Sequence, residues 1–522
     1  MASNPLITSE YWTTLQITRQ DVEFLHNYLF EHETPLTARE LVSVFIDDHV
    51  RAERLATQRQ REAGGKTYLP KDSYQVGDDL LFPSLDWKHG KVKAIRAGVN
   101  PEIGSFDVLT VDLDGGAERL FASNLASHTL NDQPVKVEDE EFDTEEIKRL
   151  YGGLIEKKIE AAFRADDEIV RIAGRWFPRA LLIDVNVGHL NLAEAVLDMA
   201  GGEPLPTPAL LKDVSLPEGV NPKLAEFSLN LALQEDDRFD EVGPAGQVLW
   251  CLRRLEPQEV QEVPLYLQYS PIEYDRSVLD DQMLNLEAHL DDELNDPDTD
   301  HGTDLKEVTI SLIFPHLRAG TLPLSDRVRS LFPTAYESPR VRFTLVDGRT
   351  KKRMPGWVVR EHRYVYGLRE WYKANELMPG SLIRIQRSEN PGEVIIEAKT
   401  YRATKDWVRT VIVGADGVLV FAMLKQPISA EFNDRMAFAI PSMGAEDQLW
   451  LQNNKRPFEK LVADLIREMS KLTPQGHVHA QELYSAVNIV RRVPPAPLFA
   501  LLSSKPEFIH VGDLHFRLGE SE

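Results

Sequence analysis

The sequence predicts a multi-domain α+β protein assembled from helical modules and two kinds of β-domain. Three observations carry that expectation. At 522 residues the chain is too long for one hydrophobic core, so about three to five compact units are expected. A helix–polar turn–helix pattern recurs three times. Two further stretches alternate apolar and polar residues with the two-residue period of strands. The single cysteine, Cys251, excludes an internal disulfide framework and a thiolate zinc cage. The opening "MASNPLITSEYW" has neither a basic nor an apolar run of the secretory kind, and no window reaches the length of a membrane span. A cytoplasmic, nucleoid-associated protein is expected.

The net charge of −24 argues against a general nucleic-acid coat, because such a chain repels phosphate at long range. The charge is unevenly placed. Lys306 to Ile412 holds 20 Lys+Arg against 11 Asp+Glu, or +9, and −24 less this +9 leaves −33 for the rest. One basic module inside an acidic chain points to a docking face.

In chain order, residues 1–66 read as a helical, helix-turn-helix-like domain. Within it "DVEFLHNYLFEHETPLTARELVSVF" begins at Asp21, with Val22, Leu25 and Leu29 at helical spacing. Its second helix runs on through "DDHVRAERLATQRQREAGGK", and no hairpin follows. Residues 70–130 show short alternating strands near 79–83, 91–97, 105–112 and 118–122, punctuated by Gly and Asn-Pro turns. They predict a small five-stranded barrel of the Tudor/KOW type. Phe82, Trp87, Phe106 and Phe121 are candidates for an aromatic cage or for its core. Residues 131–187 read as an acidic linker and helical connector.

The second copy of the helical pattern, "NLAEAVLDMAGGEPLPTPALLKDV", starts at Asn191, and the third, "KLVADLIREMSKLTPQGHVHAQELYSAV", at Lys460. Both continue into a third helix, then acid-x-Phe-x-x-Val-Gly and a second strand: "LAEFSLNLALQEDDRFDEVGPAGQVLWCLRRL" and "APLFALLSSKPEFIHVGDLHFRLGE". Three helices closed by a two-stranded wing make a winged helix. The pattern resembles the HARE-HTH winged-helix family, found in the delta subunit of bacterial RNA polymerase and in restriction-associated proteins. The resemblance covers residues 188–256 and 456–519, the latter within a C-terminal winged-helix domain of 456–522.

Between them, 257–305 is an acidic linker. Its stretch 274–304 carries Leu279, Met283, Leu284, Leu286 and Leu290 at helical spacing. Solvated spacer, partner-binding helix and intramolecular partner of the basic module are its three readings. Residues 306–430 order into seven strands and two helices, and 431–455 into a connector. "TLPLSDRVRSLFP" and "GLREWYKANELMPGSLIRI" resemble the DNA-binding pseudobarrel of plant auxin-response factors, shared with restriction-endonuclease recognition domains. Leu368 stands where that family has an aromatic residue, and Ser381 where it has Asp.

The resemblance implies two loops gripping duplex DNA: Pro315–Gly320 with His316 and Arg318, and the turn with Arg360, His362 and Arg363. Arginine forks suit guanine edges and phosphates. The turn "GRTKKRM", with Arg349, Lys351, Lys352 and Arg353, suits phosphate contacts. Trp357 and Trp371 are assigned to the core. Arg491 and Arg492, before the third helix of the last module, add a further basic pair.

Catalytic motifs fail on inspection. "AGGKT" follows a charged helix, with Gln60 in place of the first loop glycine. "DPDTDHGTDLKE" has His301 at the calcium-loop glycine position. Glu397-x-Lys399 lacks the upstream aspartate of a nuclease. No enzyme, cofactor or metal is expected. The sequence points to a non-enzymatic DNA-binding protein, transcription-associated, with double-stranded DNA and RNA polymerase or another transcription or defence protein as partners. A restriction or phage-defence accessory subunit and a protein-only adaptor are the rivals.

Overall fold

The computed structural model describes residues 9–63, 65–85, 88–100, 104–113, 116–132, 144–217, 219–296, 305–413, 419–441, 450 and 456–519. The chain divides into two compact units, Met1–Arg171 with Arg175–Leu182, and Ile172–Gly174 with Ile183–Glu522. The architecture is mixed α+β. Among the described residues no helix is long and apolar enough to cross a membrane.

In the first unit, helix Arg19–His32 is opened by a Thr18–Asp21 capping box, which satisfies two otherwise orphaned N–H groups. A two-residue strand, Leu36–Thr37, leads into helix Ala38–Ala63. Leu25, Leu29, Leu41 and Phe45 of these helices share a core with Ile155, Ile159 and Phe163 of helix Thr144–Arg164. Hairpin Ile169–Ile172/Arg175–Pro178 closes that core with Trp176, and Leu36 pairs with Trp176. The hairpin missing from the sequence reading is therefore present. A second fold is inserted between the second and third helices, so the elements that complete the module lie far along the chain.

The insertion is a five-stranded sheet in chain order, Lys66–Thr67, Asp79–Phe82, Lys88–Ala97, Asp107–Leu113 and Ala117–Ser123. Phe82 is fully buried, with its ring 4.3 Å from that of Phe121. Phe106 lies over Gly98, where an added Cβ would fall 2.4 Å from the ring. Phe82 is thus core and not the wall of an open cage, and Trp87 falls outside the described residues.

The second unit holds two more modules of the same element order. One comprises helices Val187–Met199, Thr207–Leu210 and Pro222–Gln234 with hairpin Phe239–Glu241/Leu249–Leu252. The other comprises Phe458–Met469, Ala480–Val490 and Pro495–Ser504 with hairpin Phe508–Gly512/His515–Leu518. In all three modules a two-residue strand pairs with the second hairpin strand, which pairs with the first. His479 accepts from Gln481 N at 3.1 Å and caps its helix, a structural role.

Between these modules lies a seven-stranded curled half-barrel. Its strands are β1 (Glu307–Ser311), β2 (Thr321–Pro323), β3 (Arg340–Asp347), β4 (Arg353–Val359), β5 (Tyr364–Tyr366), β6 (Leu382–Arg387) and β7 (Glu393–Ala398). They are ordered β1-β6-β7-β3-β4-β5-β2. Only β7 and β3 run parallel; the other neighbours are antiparallel. Every second residue of β3 is buried (Val341, Phe343, Leu345), the alternation expected of a sheet with one face on a core.

The predicted loop 315–320 is a short helix, Phe314–Ala319, with Pro315 in its first turn and Gly320 ending it at φ 72°, a conformation that favours glycine. Strands Thr400–Val413 and Leu419–Ala430 leave the half-barrel as a separate ribbon. Its Val411 and Phe421 enter the core of the last module.

The acidic stretch is not a solvated spacer over its described part. Helix Asp281–Leu290 buries Met283 and Leu286, and Leu279 just before it is buried too, all in the core of the last module. Each such side chain contributes about 2 kcal/mol of burial free energy, which offsets the desolvation of the acids around them.

Candidate nucleic-acid interface

The carboxylates of this strap decide which basic residues remain available. His316 is fully buried: its Nδ1 lies 2.8 Å from Thr321 Oγ1 and its Nε2 lies 3.1 Å from Glu293 Oε2. Arg492, also buried, donates to Asp292 Oδ1 at 2.5 Å and Glu293 Oε1 at 2.8 Å, and Tyr484 donates to Asp292. Burial alone would raise the Glu293 carboxyl. The Arg492 charge and the bonded His316 outweigh it and hold that carboxyl below the usual range. His316 and Arg492 therefore do not face DNA; they bind the chain's own acids.

The other predicted contacts separate into groups. Gly320 O accepts from Gly367 N and Leu368 N, whereas Leu324 N donates to Arg363 O. The two loops expected to grip DNA together thus sit at opposite ends of the β2–β5 pair. At one end Arg318 is half-buried over Tyr266, 5.3 Å from the ring centroid. It lines a cleft of about 910 Å³ with Arg369, Lys373, Glu259 and Glu376. At the other end Arg360 donates to Ser338 O at 2.7 Å, and Arg363 to Asn295 O and Asp326 Oδ1. His362 is exposed there. Arg491 is half-buried over Phe458 and donates to Arg456 O at 3.3 Å.

What stays open is the β3–β4 tip. Asp347 accepts from Arg349 N (2.9 Å), Thr350 N (2.6 Å) and Trp371 Nε1 (2.6 Å). These donors, against the opposing effect of burial, hold its carboxyl below the usual range. The anchored turn leaves Arg349, Lys351, Lys352 and Arg353 exposed.

Helix Arg369–Ala374 lies beside this tip. Arg349 reaches Asn375 Oδ1 at 3.5 Å. Glu370 is held below its ordinary value first by Lys373, and in smaller part by Arg369 and Lys352. Gly367 allows this approach: at φ 123°, an added Cβ would fall 2.3 Å from Pro355 O.

Arg369 and Lys373, which the sequence reading did not select, thus join the tip residues on one surface. Their i, i+4 spacing on a helix was the available signal. Their ion pairs, Arg369–Glu259 at 3.0 Å and Lys373–Glu370 at 2.8 Å, lie at the surface, where water and salt screen such pairs, so a phosphate can displace them. Trp357 and Trp371 are buried.

No family model, curated protein or solved structure matches this chain. Among the described residues no group of His, Cys, Asp and Glu could hold a metal ion. Glu397 pairs with Arg384 and Lys399 with Glu431.

Asp347→Ala is expected to lower stability by about 1–3 kcal/mol, since it leaves the buried Trp371 N–H and two backbone donors unmatched. Faster amide exchange confined to 348–352 and the start of helix 369–374 would show the tip released. Unchanged exchange there would mean that Asp347 is not the anchor.

Proposed function

We propose that this chain is a non-enzymatic, transcription-associated protein that binds duplex DNA through the β3–β4 tip and helix 369–374 of its half-barrel. The carrying observation is that surface: Arg349, Lys351, Lys352, Arg353, Arg369 and Lys373 gathered on a chain of net charge −24, with Arg353 paired to Glu393, Arg369 to Glu259 and Lys373 to Glu370. In this reading the half-barrel is a DNA-binding pseudobarrel, and the three helix–hairpin modules are winged helices. The inserted sheet is a Tudor/KOW-like barrel. The long-range field disfavours general binding, so contact is confined to the one basic surface.

Protein recruitment falls to the second module. Its third helix, "PKLAEFSLNLALQ", is followed by Glu235, Asp236 and Asp237, and the docked strap is withdrawn from that role. The adaptor reading also has an observation behind it: His316, Arg363 and Arg492 are each bound by the chain's own acids or carbonyls.

Binding of the full chain to a duplex across a salt series separates the two. Each phosphate contact contributes about 0.9 to the log–log salt slope. The triple variant Arg349→Ala, Lys351→Ala, Lys352→Ala is expected to flatten the slope by about 3 and weaken binding to all sequences alike. Equal slopes for variant and parent would remove this surface from DNA binding. No binding by the parent at low salt would leave the adaptor reading.

A further inference from the structure

The ribbon of Thr400–Val413 and Leu419–Ala430 carries Trp407 with 62% of its surface exposed, more than any other aromatic among the described exposed residues. Its cross-strand partner is Lys425, and the Lys425 ammonium lies 5.4 Å from the indole centroid. Strand alternation puts Lys405, Trp407 and Arg409 on one face with Met423, Lys425 and Pro427 opposite them. The paired ribbon residues of that face include no carboxylate, and the acid that reaches it, Glu482, comes from the last module to Arg409. Asp406 points to the other side, where it accepts from Thr404 Oγ1 at 2.8 Å. Arg409 is already taken by Glu482 and Asp434 O, so Lys405 and Lys425 are the open cations, both exposed. No role in the ribbon's own packing explains the indole: the apolar anchors are Val408, Val411, Phe421 and Ile428, all buried.

We infer that this face binds single-stranded nucleic acid, with a base stacked on Trp407 and the adjoining phosphates on Lys425 and Lys405. A nucleotide presents a π-face and an anionic group joined by a sugar, and the ribbon presents an exposed indole with an ammonium beside it. An acidic peptide would satisfy the lysines and leave the indole in water. The site is separate from the β3–β4 tip, so the ribbon and the duplex-binding surface stand or fall apart.

The test uses the full chain, a labelled oligothymidylate of twenty nucleotides and a duplex of equal length. Trp407→Ala is expected to weaken oligothymidylate binding at least about tenfold, with duplex affinity unchanged and Trp407→Phe restoring most of the loss. Lys405→Ala with Lys425→Ala should flatten the salt slope for the single strand by about 1.4. The exposure of all three side chains keeps these variants folded, and the tip triple variant should leave single-strand binding intact. Parent and Trp407→Ala binding the single strand equally would overturn the inference, as would no binding by the parent. Binding of polyglutamate that is lost in Trp407→Ala, without single-strand binding, would reassign the face to an acidic protein.

Discussion

Arg492→Ala is expected to cost about 3–5 kcal/mol of unfolding free energy, the usual result of removing one partner from a buried ion pair. The guanidinium neutralises Asp292 and Glu293 in a site where the side chains of Arg492 and Asp292 are 0% exposed. Without it, two carboxylates remain buried without a countercharge from arginine, Asp292 held by Tyr484 and Leu294 N and Glu293 by His316. The strap should then detach from the last module, and denaturant unfolding with limited proteolysis at 274–296 would read both effects. Arg492→Ala with Asp292→Asn and Glu293→Gln should recover part of the loss, because the penalty lies in uncompensated charge. A melt within about 0.5 kcal/mol of the parent would show that the strap is held by its apolar contacts alone.

A second large effect is expected at Glu256, whose buried carboxyl lies beside Asp240 and 3.7 Å from Arg340, which also pairs with Asp240. Burial first, then the Asp240 charge, pushes the Glu256 carboxyl up to about 8, against the partial opposition of Arg340. Because the folded value is raised, the folded state takes up a proton that the unfolded chain releases. The contribution of this group is fully present below the ordinary carboxylate range and declines as pH rises towards about 8.

Glu256→Gln should therefore leave stability unchanged near pH 4 and raise it increasingly towards pH 8.5, by several kcal/mol at most. Glu241, pushed to about 7 chiefly by burial, adds a loss of the same sign. Glu293 acts oppositely: its depressed carboxyl contributes above the ordinary carboxylate range and loses that contribution as pH falls through its folded value. Matched denaturation curves of parent and Glu256→Gln at pH 5, 7 and 8.5 check this. A constant difference across the three would mean that Glu256 does not titrate in this window.

Much of the local architecture was legible. The strand alternation of "RVRFTLVD" and the turn chemistry around Gly348 and Gly367 depend on neighbours in sequence, and the half-barrel strands appear where those patterns place them. The first module was only half legible. Helix 144–164 and its hairpin complete a core begun by Leu25 and Phe45, and no local period records a partner on the far side of an inserted sheet. The candidate interface divided in the same way. The tip residues sit on a hairpin whose exposure follows from a turn rich in Lys and Arg. His316 and Arg492 looked equally available, yet the acids that claim them lie 23 and about 200 residues away in sequence.

The sequence by itself determined where most half-barrel strands and module helices form, which module is basic, and where a concentrated acidic segment lies. Those properties follow from side-chain period, turn residues and charge composition, all of which are local. Only the tertiary structure decided which charges remain free. A lysine or arginine stays exposed or becomes buried according to whether distant carboxylates and hydroxyls meet it with good geometry, since an unpaired charge is not tolerated in the interior. The strap meets Arg492 and His316 in that way, and among the described residues no acid meets Lys351 or Lys352 at ion-pair distance.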